Sequence, residues 1–139
     1  MAQYALPFVA TPLFVLNSKF DSCQMAGCEL NLPDANAGWA KCSAAERAAA
    51  VAFSHNFSAS LTATGVFWSG VPHGGWLSSC WVHCDAGDAA WTRSLAPPAP
   101  GVPGAAQSPS QAFAQWLAGS AQVWYVDTAD APDVNPTCM

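Results

Sequence analysis

The sequence predicts an α/β fold of the layered type, present only in part. Three observations carry that reading. Thr11 to Asn17 (TPLFVLN) is a short apolar run closed by a polar residue, the pattern of a strand buried on both faces. Ser43 to Leu61 has the make-up of a long amphipathic helix, and Thr64 to Ser69 (TGVFWS) reads as a second buried strand. Strand, helix, strand and a shorter helix is the order from which layered α/β folds are built. Two strands do not make a stable parallel sheet by themselves, so further strands are expected outside this chain.

Each element has a local reason. Ser43 with Glu46 three residues on forms a capping box, and the Ala-rich run behind it favours helix. Ala50, Phe53, Phe57 and Leu61 recur at spacings of three and four, which places them on one face. Gly70 to Gly75 reads as a glycine-rich loop. Residues 95–107 (LAPPAPGVPGAAQ) have no periodicity and read as an extended surface loop. Ser108-Pro109 then opens a second helix with Ser at the cap and Pro in the first turn, and Phe113, Trp116 and Leu117 are its apolar stripe. Val123 to Val126 (VWYV) reads as a last strand or an extended tail, with Cys138 placed to tether the terminus. No internal repeat and no second domain is visible, so residues 1–139 form a single unit.

The apolar stretch from Tyr4 to Leu16 has the composition of a signal-peptide core. No Lys or Arg precedes it, Pro7 and Pro12 interrupt it and no small-x-small cleavage site follows, so a buried strand is the better reading. It is also too short to span a bilayer.

Of the 139 residues, 52% are apolar and only 9% are charged. That excludes a disordered chain and implies that more polypeptide, or a partner, covers the surface. The net charge is −5, and the four cations, Lys19, Lys41, Arg47 and Arg93, are scattered. Nucleic-acid binding needs clustered cations to displace counterions, so it is set aside. Six cysteines stand at 23, 28, 42, 80, 84 and 138. Cys23 with Cys28 and Cys80 with Cys84 loosely suggest halves of a zinc site, but the spacing is irregular and a disulfide framework is favoured. Bridges imply an oxidising compartment, and the acceptor triplet Asn56-Phe57-Ser58 fits the same one.

Two residues are placed for acid–base chemistry. Asp21 lies just past the first strand, where open α/β sheets put their reactive groups. His83 sits in Ser79-Cys80-Trp81-Val82-His83-Cys84, a loop with cysteines on both sides to hold it. A fixed loop histidine suits a general base, and a carboxylate such as Asp21 would set its tautomer; a plain structural histidine is the competing reading. His55 lies within the predicted helix and reads as structural. His73-Gly74-Gly75-Trp76 resembles an oxyanion segment of some lipases, but such segments precede the nucleophile, so its glycines read as turn residues. A triad in the order Ser, Asp, His needs its serine upstream of Asp21. Ser18 is the only serine there, without flanking elbow glycines, and no G-x-S-x-G occurs in the chain.

In order along the chain, Pro12-Leu13-Phe14-Val15-Leu16-Asn17, Phe20-Asp21-Ser22-x-Gln24, Trp39 with Cys42, Gly65-Val66-Phe67, Ser79-Cys80-x-x-His83-Cys84, Trp91, Phe113 to Trp116 and Asn135-Pro136-Thr137-Cys138 form a series. The series resembles the carboxyl-terminal third of the pectin acetylesterases and of their animal relative, the carboxylesterase Notum. The resemblance implies the last strands and helices of an α/β-hydrolase-like fold. It also implies a Ser-Asp-His triad in which Asp21 is the acid, His83 the histidine and the serine lies outside this chain. Extra residues around Gly70 to Trp76 depart from the family pattern, as do Thr128 and Val134 where relatives tend to have cysteine. Cys23 stands where plant members usually have Trp, and a Cys23–Cys28 bridge would substitute for a lost one.

The expected function is therefore a carboxylic ester hydrolase acting on acetylated pectin, a similar polysaccharide or a small ester. It would be secreted to the cell wall, would use no cofactor or metal, and would have no nucleic-acid partner and no membrane span. This chain alone would be inactive, needing the amino-terminal part of its own domain. The alternative is a non-catalytic secreted binding or structural remnant of such an enzyme.

Overall fold

Among the described residues, three parallel strands run side by side in sequence order: β1 (Phe14–Ser18), β2 (Gly74–Ser78) and β3 (Trp124–Val126). The computed structural model describes residues 4, 8–63, 71–83, 86, 89–99, 101, 103–120 and 123–138. Helix α1 (Ala44–Ala63) connects β1 to β2, and α2 (Ala90–Arg93) and α3 (Pro109–Leu117) connect β2 to β3. Short helical turns fill the segment before α1, at Gln24–Cys28, Pro33–Ala37 and Trp39–Lys41. The architecture is thus α/β, with helices on both faces of a parallel sheet.

Strand alternation sorts the side chains into two cores. Leu13, Val15, Leu77, Trp124 and Val126 pack with Phe57 and Leu61 of α1. Phe14, Leu16, Trp76, Val123 and Tyr125 pack with Ala112 and Trp116 of α3. A third cluster around Phe20, Met25, Cys42 and Ala50 lies under the loop that follows β1. Both predicted caps form. The Ser43 hydroxyl accepts from the Glu46 N–H at 3.3 Å while a Glu46 oxygen accepts from the Ser43 N–H at 2.8 Å. Ser108 and Gln111 repeat that exchange at the start of α3, with Pro109 in the first turn.

The structure departs from the sequence reading at several points. β1 starts at Phe14 rather than Thr11, and Phe14 to Asn17 are half-buried because β1 is an edge strand. The run from Tyr4 does not continue it. Tyr4 and Phe8 are exposed, and Pro12, lacking an N–H, cannot join a ladder. The predicted strand at 64–69 lies outside the described residues. The strand that leads to His83 is instead Gly74–Ser78, part of which read as loop. Leu117 is exposed, so the apolar stripe on α3 is Ala112, Phe113 and Trp116, the two rings packed against Phe14. The start of the proline-rich connector is not free on the surface: Ala96 and Ala99 are buried, and Ala99 N–H and Val126 N–H join this segment to β3. That pairing closes the β3 edge of the sheet, and among the described residues the outer edge of β1 has no strand beside it.

Glycines occupy β2 because large rings lie over it. A Cβ on Gly75 would stand 2.3 Å from Trp124 Cζ3, and one on Gly74 would stand 2.8 Å from Trp116 Cδ1. Gly75→Ala is expected to cost about 1–3 kcal/mol in urea unfolding by overpacking. Gly27→Ala, where a Cβ meets nothing within 4 Å, should stay within about 0.5 kcal/mol.

The cap of α1 also carries a pH dependence. Hydrogen bonds from the Ser43 hydroxyl, then from the Asp34 and Ser43 N–H groups, lower the Glu46 carboxyl from 4.5 to about 2. Its hydrogen bond and then its charge raise neighbouring Asp34. A depressed carboxyl contributes stability that is complete above its ordinary pKa and is lost as pH falls through the folded value. Glu46→Gln should therefore melt below wild type near neutrality, with the difference fading between about pH 4.5 and 2 in thermal melts.

Candidate functional site

Parallel pairing sets the carboxyl ends of the strands level, with Ser18 opposite Ser78. The chain leaving each strand therefore starts from the same end of the sheet, and both sequence-derived site residues lie there. Asp21 is buried, and its Oδ1 accepts the N–H groups of Cys23 and Gln24 at 2.9 and 3.1 Å. Those bonds fix the carboxylate over the start of the helical turn that follows. His83 Nδ1 lies 3.0 Å from Oδ1 and 2.9 Å from Oδ2 of Asp21. A carboxylate only accepts, so Nδ1 carries the proton and Nε2 is the basic nitrogen of the ring. The imidazole is 54% exposed against 6% for the aspartate side chain. The pair thus sets a half-exposed ring nitrogen against solvent and a buried carboxylate behind it.

The two loops are laced together by backbone and hydroxyl groups. Lys19 N–H donates to Ser78 C=O at 2.9 Å and Ser22 N–H donates to Val82 C=O at 3.2 Å. Ser18 Oγ donates to Cys80 C=O and accepts from Phe20 N–H. Cys80 is bonded to Cys138, which ties the His83 loop to the tail as the position of Cys138 suggested. Closing that 58-residue separation is worth about 4 kcal/mol by loop entropy. Cys23 is bonded to Cys28 next to Asp21, so these four cysteines form bridges rather than a zinc site. Cys42 is a buried free thiol, which burial pushes up in pKa, and Cys84 lies outside the described residues. No group of three His, Cys, Asp or Glu side chains able to hold a metal occurs among the described residues.

The sequence reading missed a second buried carboxylate at the same end of the sheet. Asp127 directly follows β3, and its Oδ2 accepts the N–H and the hydroxyl of Ser79 at 3.3 and 2.6 Å. Its Oδ1 accepts Ala129 N–H at 2.9 Å, and Asn135 Nδ2 completes the set. The signal was available: an acid just beyond an apolar run is what singled out Asp21. Lys19 is buried nearby. Burial lowers its pKa more than the charges of Asp127 and Asp130 raise it.

The other histidines serve the fold. His73 is buried, and its Nδ1 accepts Leu13 N–H at 3.1 Å, so the His-Gly-Gly segment anchors the entry to β1 and runs into β2. His55 pairs with Asp130 on the surface at 2.7 Å, which holds the Asp130 carboxyl below its ordinary range. Beside the Asp21 and His83 loops opens a cleft of about 640 Å³ lined by Ser22, the Cys23–Cys28 bridge, Asn36, Gly38 and Trp81. No described helix is long and apolar enough to cross a membrane.

The structure is an α/β sheet with an Asp–His pair at its carboxyl end. The Pectinacetylesterase family model matches residues 1–139, and the chain belongs to that family. It is similar to Pectin acetylesterase 7 of Arabidopsis thaliana, at 30% identity over 152 aligned residues. The match takes in 98% of this chain and 35% of that relative, so the chain spans about a third of the relative's length. No solved structure matches it.

Proposed function

We propose that this chain supplies the acid and the base of a carboxylic ester hydrolase that deacetylates pectin or a similar wall polysaccharide. The observation that carries the reading is the buried Asp21 carboxylate bonded to His83 Nδ1 in a chain of the pectinacetylesterase family. The nucleophile is a serine from the rest of the same domain, an α/β-hydrolase-like sheet of which residues 1–139 are the carboxyl-terminal part. Two features support that placement. No described serine bonds His83 Nε2, and among the described residues no strand lies beside the outer edge of β1, which leaves room for a further strand.

The reaction follows from the pair. Serine Oγ attacks the acetyl carbonyl as His83 Nε2 takes its proton, and Asp21 stabilises the resulting imidazolium. The imidazolium returns the proton to the departing sugar hydroxyl, leaving an acetyl-serine. Water then attacks that ester with His83 again as base, releasing acetate and restoring the serine. The cleft beside Trp81 gives the sugar a place next to the pair.

In a p-nitrophenyl acetate assay, residues 1–139 alone should show no turnover, and the full-length protein carrying them should turn over. Asp21→Asn should lower kcat of the full-length protein by roughly 10⁴-fold, because the imidazole loses the acceptor that sets its tautomer. His83→Ala should abolish turnover above background. Full-length protein without activity on acetylated substrates would instead favour a non-catalytic secreted remnant.

The same reading puts the protein outside the cell, in keeping with the Cys23–Cys28 and Cys80–Cys138 bridges. Asn56 of the Asn56-Phe57-Ser58 triplet is exposed on α1, on a face otherwise rich in alanine. Expression through a eukaryotic secretory pathway should yield a glycan at Asn56. Removal by an amide-cleaving glycosidase should leave Asp at 56, and Ser58→Ala should prevent attachment. An unmodified intact mass would count against the secretory route.

A further inference from the structure

We infer that Ser18 is a positioning residue for the Asp21–His83 pair, an inference that rests on the function proposed above. The last residue of β1 was of interest in the sequence only as a serine that lacks the setting of a nucleophile. The structure gives it a different task. Its hydroxyl is buried, with 1% of the residue exposed, and it touches both catalytic loops at once. It accepts the N–H of Phe20, the residue before Asp21, at 3.0 Å, and it donates to the C=O of Cys80, three residues before His83.

A hydroxyl is suited to this because it donates and accepts at a single atom. The distance between the two loops is therefore set by one oxygen rather than by a flexible chain of contacts. The Cys80 carbonyl also accepts Val82 N–H at 3.0 Å, and the Val82 carbonyl accepts Ser22 N–H at 3.2 Å. One continuous run of hydrogen bonds thus passes from Phe20 through Ser18, Cys80 and Val82 to Ser22, closing on either side of Asp21. Ser18→Ala removes two of the four hydrogen bonds of that run and leaves the buried Phe20 N–H without this acceptor. The pair is held where a single hydrogen bond between Nδ1 and the carboxylate must stay aligned. Displacement of a catalytic group by about 1 Å costs up to about 100-fold in rate.

The test is a double-mutant cycle in the full-length protein, with kcat expressed per site titrated by a serine-directed fluorophosphonate. Titration counts folded sites, so a loss of folded protein does not register as a loss of rate. Ser18→Ala is expected to lower kcat by about 10–100-fold, with KM for p-nitrophenyl acetate within about twofold of wild type. In an Asp21→Asn background, where the aligned pair is already broken, the same change should cost less than about threefold. Ser18→Thr, which keeps the hydroxyl, should recover most of the single-variant loss.

Wild-type kcat in Ser18→Ala would overturn the inference, as would an equal loss in both backgrounds. Either result with Asp21→Asn still strongly impaired leaves the Asp21–His83 reading standing. An Asp21→Asn variant that retains full turnover would remove that reading and this inference together.

Discussion

The parallel pairing of β1 with β2 is the constraint on which the rest of the structure depends. It aligns Phe14 with Gly74 and Ser18 with Ser78, so both strands release their chains at one level. Everything chemically interesting follows from those exits: Asp21 three residues beyond one, His83 five beyond the other, and Asp127 directly beyond β3. An antiparallel partner would have sent one of the two loops to the opposite end of the sheet. Parallel pairing in turn requires a long crossover, which is why a 20-residue helix stands between them.

Burial divides the labour within the site. Asp21 is enclosed and hydrogen-bonded by two backbone N–H groups as well as by the imidazole, so its orientation is fixed. The imidazole is half-exposed and stands between that fixed acid and solvent. Rigidity is concentrated behind the ring: the Cys80–Cys138 bridge, the Ser79–Asp127 contact and the Ser18 hydroxyl all act on the segment before His83. The general base proposed at His83 would need that arrangement, since it must be held firmly on one side and reach a mobile substrate on the other.

Much of this was legible in the sequence because it is written in local chemistry. Ser43 with Glu46 and Ser108 with Gln111 are reciprocal caps whose partners lie three residues apart, and both form. Asp21 and His83 could be singled out because an acid past a buried strand and a histidine flanked by cysteines stand where layered α/β folds place reactive groups, and the family resemblance decided against a plain structural histidine. β2 was harder to read. Gly74-Gly75 depresses strand propensity, and the competing run at 64–69 is richer in β-branched and aromatic residues. Only the rings of Trp116 and Trp124, distant in sequence, explain why glycine is needed there. Asp127 carried the same local signal as Asp21, an acid just past an apolar run, but its partner Ser79 lies 48 residues away. The task of Ser18 had no local signal, because its partner Cys80 lies 62 residues away and no local pattern records a hydrogen bond of that range.

The close seating of Trp124 on Gly75 reaches beyond this one chain. Position 75 has no side chain because position 124 carries the largest one, so the two sites share a fixed volume across β2 and β3. Over divergence such sites drift as a unit. A family member with alanine or valine at the position of Gly75 must carry a smaller residue opposite, and neither substitution is tolerated long without the other. The pair should thus leave a covarying trace in related sequences, marking the β2–β3 register even where the surrounding residues have lost all resemblance.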